Sequence, residues 1–305
     1  MKYVDLGKAG LNVSAVAVGC MRISALSHGE LSRFIHTALD CGVNFFDHAD
    51  IYGGGECEAA FGRVLKEEPG LRGQMVLQGK CGIRKGMYDF SKEHILKSVD
   101  EILGRLNTDY LDVLLLHRPD ALMEPEEVGE AFDRLEAAGK VKRFGVSNFN
   151  ARQIDLLQSG LRQKLVANQL QFGLLHTGMI DHALCANTKF PGSPDRDGEV
   201  LDYCRLHGLT VQAWSPFQYG FFEGVFLGKE KFPELNAQLS ELSGKYHVSE
   251  QALAAAWILR HPAGMQVISG STNPERLKDI CTACDVELSR EDWYALYLAA
   301  GNQLP

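Results

Sequence analysis

The sequence predicts an α/β chain folded as a (β/α)8 TIM barrel, and three observations carry that expectation. Eight short, almost continuously apolar runs recur along the chain, as in strands buried on both faces of a parallel sheet. Stretches of helical periodicity lie between them. The alternating units fill about 250 residues, the size and count of such a barrel.

The strand-like runs, in order, are SAVAVGC (14–20), NFFDHA (44–49), MVLQGK (75–80), LDVLLLH (111–117), FGVSN (144–148), VANQLQF (166–172), LTVQAWSP (209–216) and MQVISGS (265–271). The helical segments carry end signals. ELSRFIHTALDCG (30–42) stops on a glycine, and SKEHILKSVDEILGRL (91–106) opens on a serine cap. PEEVGEAFDRLEAAGK (125–140) begins with proline and acids and stops at Gly139. VSEQALAAAWILRH (248–261) opens on Ser249 and stops before Pro262, and Pro274 to Ala283 reads as one more helix. Residues 1–13 fit no unit. They read as a β-hairpin turning near Lys8–Gly10 and closing the bottom of the barrel. Two stretches rich in Pro, Gly or aromatic residues, 185–198 and 216–232, read as long loops bordering a site. No linker or low-complexity segment interrupts residues 1–305, which read as a single barrel domain.

Composition narrows the function. The 305 residues are 45% hydrophobic and 23% charged, an ordinary globular balance. A net charge of −8 argues against a general nucleic-acid surface, while leaving room for a local basic pocket. No apolar run approaches the roughly 20 residues of a membrane span, and MKYVDLGKAG lacks the pattern of a signal peptide. A cytoplasmic protein with no membrane association, and no evident obligate protein partner, is expected. The eight cysteines are scattered. Cys281 and Cys284 form a C-x-x-C, but no second pair or nearby histidine completes a zinc site, so they read as residues of one helical turn.

Four polar residues end strand-like runs. Asp47 and Tyr52 bracket the end of the second, Lys80 ends the third and His117 the fourth. In an α/β barrel such strand ends meet at one mouth, where active sites lie. An acid, a phenol, an ammonium and an imidazole brought together suit acid–base chemistry on a carbonyl or alcohol. Asp47 is expected to orient Lys80, Lys80 to lower the Tyr52 pKa, and His117 to donate to a carbonyl oxygen beside Tyr52. Another reading of the same residues makes Lys80 the Schiff-base lysine of an aldolase.

The chain resembles the aldo-keto reductases over essentially its whole length. FDHADIYGGGECEAAFG is similar to that family's D-x-A-D-x-Y-G-x-x-x-x-E-x-x-x-G segment, VLQGKCG to its strand-three lysine and YLDVLLLHRPD to its strand-four histidine. GKVKRFGVSNF is similar to its G-K-x-R-x-x-G-V-S-N-F block. The KCG, HRPD and AWSP details resemble the bacterial oxidoreductase branch.

The resemblance implies NADP(H)-dependent reduction of aldehydes and ketones, with NADH the lesser alternative. It makes Asp47, Tyr52, Lys80 and His117 the catalytic set, with Tyr52 as general acid. It places Ser147, Asn148 and Gln169 on the nicotinamide carboxamide and Trp214 against the nicotinamide ring. Ser215 and Pro216 then follow the pyrophosphate, while Gly19, Cys20 and Met21 form the edge beside the ribose. After strand eight, Ser271, Thr272 and Arg276 are assigned to the 2′-phosphate and Asp279 to the adenine edge. Two departures stand out: Gly270 falls where many members carry lysine, and Ile280 where they carry asparagine. Some relatives of this fold bind NADP while serving mainly as channel partners, so a catalytically weak regulatory subunit is the alternative. The substrate rim would come from Met21, Arg22, the 81–90 loop, Arg118, the 174–198 loop and the Trp214–Phe226 stretch. Phe217, Tyr219, Phe221 and Phe222 there suggest small aromatic or aliphatic carbonyls.

Overall fold

The computed structural model describes residues 1–304. Eight parallel strands close a barrel in chain order: β1 Val16–Gly19, β2 Phe45–Asp47, β3 Val76–Cys81, β4 Val113–Leu116, β5 Phe144–Ser147, β6 Leu165–Gln171, β7 Thr210–Trp214 and β8 Gln266–Ser269. Closure is made where Val267, Ile268 and Ser269 of β8 pair with Val16, Ala17 and Val18 of β1. The register sets Gly19 beside Asp47, Lys80 beside Leu115, and Gln169 beside Ser147, so the polar strand ends share one rim.

Eleven α-helices lie in the described chain: α1 His28–Asp40, α2 Glu56–Glu67, α3 Lys92–Leu106, α4 Pro125–Ala137, α5 Ala151–Ser159, α6 Gly178–Leu184, α7 Val200–His207, α8 Pro233–Tyr246, α9 Glu250–Leu259, α10 Pro274–Cys281 and α11 Arg290–Ala299. Ser91, Ser249 and Asn273 cap α3, α9 and α10 with their side chains, and Pro125 opens α4. α1 starts earlier than its apolar period suggests, because Ser27 and Glu30 form a reciprocal capping box. The expected 174–198 loop is not wholly irregular, since α6 lies within it. In the 216–232 stretch, Gln218–Tyr219 pairs with Gly224–Val225 in a small hairpin.

The expected N-terminal hairpin is present. Tyr3–Asp5 pairs antiparallel with Asn12–Ser14. It seals the barrel floor: Leu6 and Val13 join Ala17, Phe45, Val76, Val113, Leu115 and Ile268 in an apolar cluster distinct from the outer helix–sheet core. Gly7 is needed there. Its φ is +63°, and a Cβ would stand 2.5 Å from Val166 Cα. All eight cysteines are free thiols, and no group of three or more metal-ligating side chains occurs among the described residues. No described helix is long and apolar enough to cross a membrane.

Candidate active site

Polar residues replace the apolar filling towards the C-terminal rim. Gln78 Nε2 donates to Asp47 Oδ1 at 2.7 Å and to Gln212 Oε1 at 2.9 Å. Gln212 Nε2 donates to Gln266 Oε1 at 2.9 Å, and Gln266 Nε2 to the Ser14 carbonyl at 2.7 Å. Gln169 Nε2 reaches both Asp47 Oδ1 and Gln212 Oε1 at 3.1 Å. These buried amides satisfy one another and fix the carboxylate above them. Gln78, Gln212 and Gln266 were not anticipated from sequence. Their signal was a single amide inside an otherwise apolar strand, in MVLQGK, LTVQAW and MQVIS.

Asp47, Lys80, Tyr52 and His117 come together on this layer. Lys80 is fully buried and spends its three protons on Asp47 Oδ1 at 2.6 Å, the His48 carbonyl at 2.9 Å and the Tyr52 hydroxyl at 3.2 Å. Burial works to lower the Lys80 pKa, but Asp47 and Tyr52 outweigh it and the net shift is upward, so the ammonium stays charged. The Tyr52 and His117 rings meet edge-on, 6.1 Å between centres. Burial, then the charges of Lys80 and Arg118, hold His117 well below the usual imidazole range. The ring is therefore neutral at neutral pH. Its Nδ1 is buried without a partner among the described residues, which leaves the proton free to sit on Nε2.

One expectation is corrected. Tyr52 is not net acidified: burial raises its pKa, and the opposing pull of Lys80 does not cancel that. The phenol is neutral across the physiological range.

The tetrad opens into a cleft of about 560 Å³. Its lining includes Gly19, Met21, Ser147, Asn148, Gln169, Trp214, Ser215, Pro216, Gly270, Ser271 and Arg276. Asn148 Nδ2 donates to Ser147 Oγ at 2.8 Å, while Trp214 Nε1 donates to Asn148 Oδ1 at 3.2 Å. Ser147 Oγ donates in turn to the Gln169 carbonyl at 2.9 Å. Asn148 and Ser215 sit in the left-handed region at φ +63° and +49°, which asparagine tolerates and serine rarely adopts, and each directly follows a barrel strand.

Three anticipated residues do not line the cleft. The Cys20 side chain is fully buried, its thiol turned towards the Val18 carbonyl, so Cys20 can join the expected backbone edge only through its main chain, between Gly19 and Met21, which line the cleft. Thr272 lies beyond the cleft lining, where the chain turns into α10. Asp279 is engaged elsewhere: its carboxylate accepts the Ser249 hydroxyl, tying α10 to the start of α9.

One residue at this end was expected only at the substrate rim. A Cβ built on Gly270 would stand 3.3 Å from Arg22 Nη2. The guanidinium from the β1 loop thus occupies the space beside position 270. Asn273 Oδ1 already accepts the amides of Glu275 and Arg276, at 2.9 and 3.1 Å. The start of α10 therefore offers an anion side chains rather than free amides.

Comparison with known proteins agrees with this architecture. The model of the aldo/keto reductase family matches residues 15–297. The chain is 37% identical over 321 residues to the uncharacterized oxidoreductase YcsN of Bacillus subtilis, covering 100% of both chains. It is 35% identical over 313 residues to a 6-dehydroglucose reductase of Novosphingobium aromaticivorans, covering 99% of this chain and 97% of the other. In fold it matches an aldo/keto reductase from Klebsiella pneumoniae, crystallised with NADP and acetate. The TM-score is 0.80 and the identity 24%, over 99% of this chain and 96% of that one. From the barrel, its rim and these likenesses together, the chain belongs to the aldo/keto reductase family.

Proposed function

We propose that this protein reduces aldehydes or ketones to alcohols with NADPH, using Tyr52 as the proton donor. The observation that carries the reading is the Lys80–Tyr52 contact of 3.2 Å, formed on a carboxylate held by two glutamines and facing an open cleft. A carbonyl oxygen placed between Tyr52 and His117 meets two neutral donors. As negative charge grows on that oxygen, Tyr52 passes its proton and the buried Lys80 charge stabilises the resulting phenolate. Asp47 holds Lys80 in place.

The rest of the cleft suits a nicotinamide dinucleotide. The bound cofactor supplies a hydride. Trp214 offers a flat face for its ring. Ser147, Asn148 and the Gln169 side chain offer amide and hydroxyl partners for a carboxamide. Arg22, Ser271 and Arg276, around the bare Gly270, suit a 2′-phosphate and favour NADPH over NADH. The enzyme reading is tested with Tyr52→Phe. Carbonyl-dependent NADPH oxidation should fall by at least ~10²-fold, while NADPH binding, followed by fluorescence, changes little. Near-wild-type turnover in this variant would remove Tyr52 from the reaction.

A further inference from the structure

Three arginines face the cleft with no salt bridge among the described residues, Arg22, Arg276 and Arg118, and only Arg118 stands away from the phosphate end. Arg118 follows His117 at the end of β4 and is half-buried. Its guanidinium carbon stands 5.9 Å from the Trp214 ring centre. Burial lowers its pKa and only the Tyr88 phenol acts the other way, so no carboxylate among the described residues balances it. Other charges on the lining have explanations. Asp47 is paired with Lys80. Arg22 and Arg276 stand beside β8, which lies four strands from β4 in an eight-strand barrel and so across the mouth. Arg118 is thus separate from the phosphate end. Tyr88 acts on the guanidinium, and Phe222 stacks on Trp214 beside it, with Ile51 and Ile83 also in the lining; a lone guanidinium among largely apolar groups binds an anion strongly because little water competes.

We propose that Arg118 is a substrate-specificity residue and that the preferred substrate is an oxo-acid, a carbonyl compound bearing a carboxylate a few bonds from the reacting carbon. This rests on the reductase reading above. His117 and Arg118 are adjacent in the chain and both face the cleft, so one small molecule can meet both. A planar guanidinium matches a carboxylate in bidentate fashion. A phosphate dianion would call for a second cation, and none lines this side of the cleft.

The test compares 4-formylbenzoate with its methyl ester, which share the ring and the aldehyde but differ in charge. Wild type should favour the acid by about 10-fold or more in kcat/KM. Arg118→Met keeps an apolar stem and removes the charge. It should lower the acid's kcat/KM by about 10–100-fold, mainly through KM, the scale of a charge-assisted hydrogen bond. The acid-to-ester ratio collapses with it, and Arg118→Lys recovers part of the ratio. Equal use of acid and ester by wild type, or an unchanged ratio in the variant, overturns the assignment. If Arg118→Met does not fold, the wild-type acid-to-ester ratio and competitive inhibition by benzoate but not by methyl benzoate decide together. Failure of the reductase reading looks different: NADPH is then oxidised with neither compound.

Discussion

The Lys80 ammonium lies 3.2 Å from the Tyr52 hydroxyl, yet the phenol's pKa stands above its ordinary value because burial outweighs the cation. The lysine therefore does not make Tyr52 a strong acid at rest. On the reading proposed above, it limits the cost of the phenolate once the proton has left, a transition-state effect.

Lys80→Met should expose that role. The phenol loses the influence that lowers its pKa, so the pKa rises further. The Asp47 carboxylate is left buried without its cation. Reduction should fall by about 10²–10⁴-fold. Alcohol oxidation needs the phenolate as base, so its rise with pH should move to more alkaline values. Wild-type reduction should stay level through neutral pH and decline only above about pH 10. Profiles of wild type and variant that overlay would reduce Lys80 to a structural ion pair with Asp47.

Cofactor choice should depend on two arginines from different elements, Arg22 after β1 and Arg276 in the first turn of α10. Arg276→Ala and Arg22→Ala should each weaken NADPH binding about 10–150-fold, the scale of one charge-assisted hydrogen bond, with much smaller losses for NADH. Arg22→Ala combined with Gly270→Lys should restore part of the NADPH affinity, because the new side chain enters the space Arg22 vacates. Fluorescence titration of both cofactors reads this directly. Equal losses for NADPH and NADH would move the 2′-phosphate away from Arg22 and Arg276.

Much of the site was legible because strand ends carry their chemistry in local sequence. Asp47, Lys80 and His117 each break or end an apolar run, Tyr52 follows the second run closely, and barrel geometry then gathers them. Residues whose role depends on distant partners were not legible. Gln78 and Gln212 are 134 positions apart and meet only across the closed barrel. Arg22 acquires its place from the missing side chain at Gly270, and Asp279 accepts a hydrogen bond from Ser249, 30 positions away. The Tyr52 pKa depends on burial, which motif spacing does not report.

Helix packing around the barrel gives a stability prediction with two signs. Gly62 on α2 faces the end of α3, where an added Cβ would stand 2.0 Å from the Arg105 carbonyl oxygen. Gly62→Ala must push the helices apart, straining the Arg105–Glu58 contact of 2.7 Å one turn away. A loss of about 1–3 kcal/mol is expected in urea unfolding. Gly104 lies inside α3 with nothing within 4 Å of its added Cβ. Gly104→Ala should instead add about 0.5–1 kcal/mol. A Gly62→Ala protein as stable as wild type or more so would mean that α2 and α3 are not in this contact.

Asp50 links stability to pH. It lies between Asp47 and Tyr52 in sequence, with its Oδ1 buried and unpartnered. Burial, reinforced by Glu58, raises its pKa from 3.8 to about 7, against the opposing charges of Arg105 and Lys80. Between those two pH values the folded protein holds a proton that the unfolded chain has released. Stability must therefore fall as pH rises through this window, and the loss is complete above about 7. Glu58, also raised by burial, adds to the same trend. Asp50→Asn removes the Asp50 contribution while keeping size and polarity. The drop in melting temperature from about pH 5 to about pH 8 should be smaller in the variant, and at the higher pH the variant should be the more stable protein. Equal drops in both proteins would show that Asp50 is ionised in the folded state at both pH values, with the Arg105 and Lys80 charges outweighing its burial.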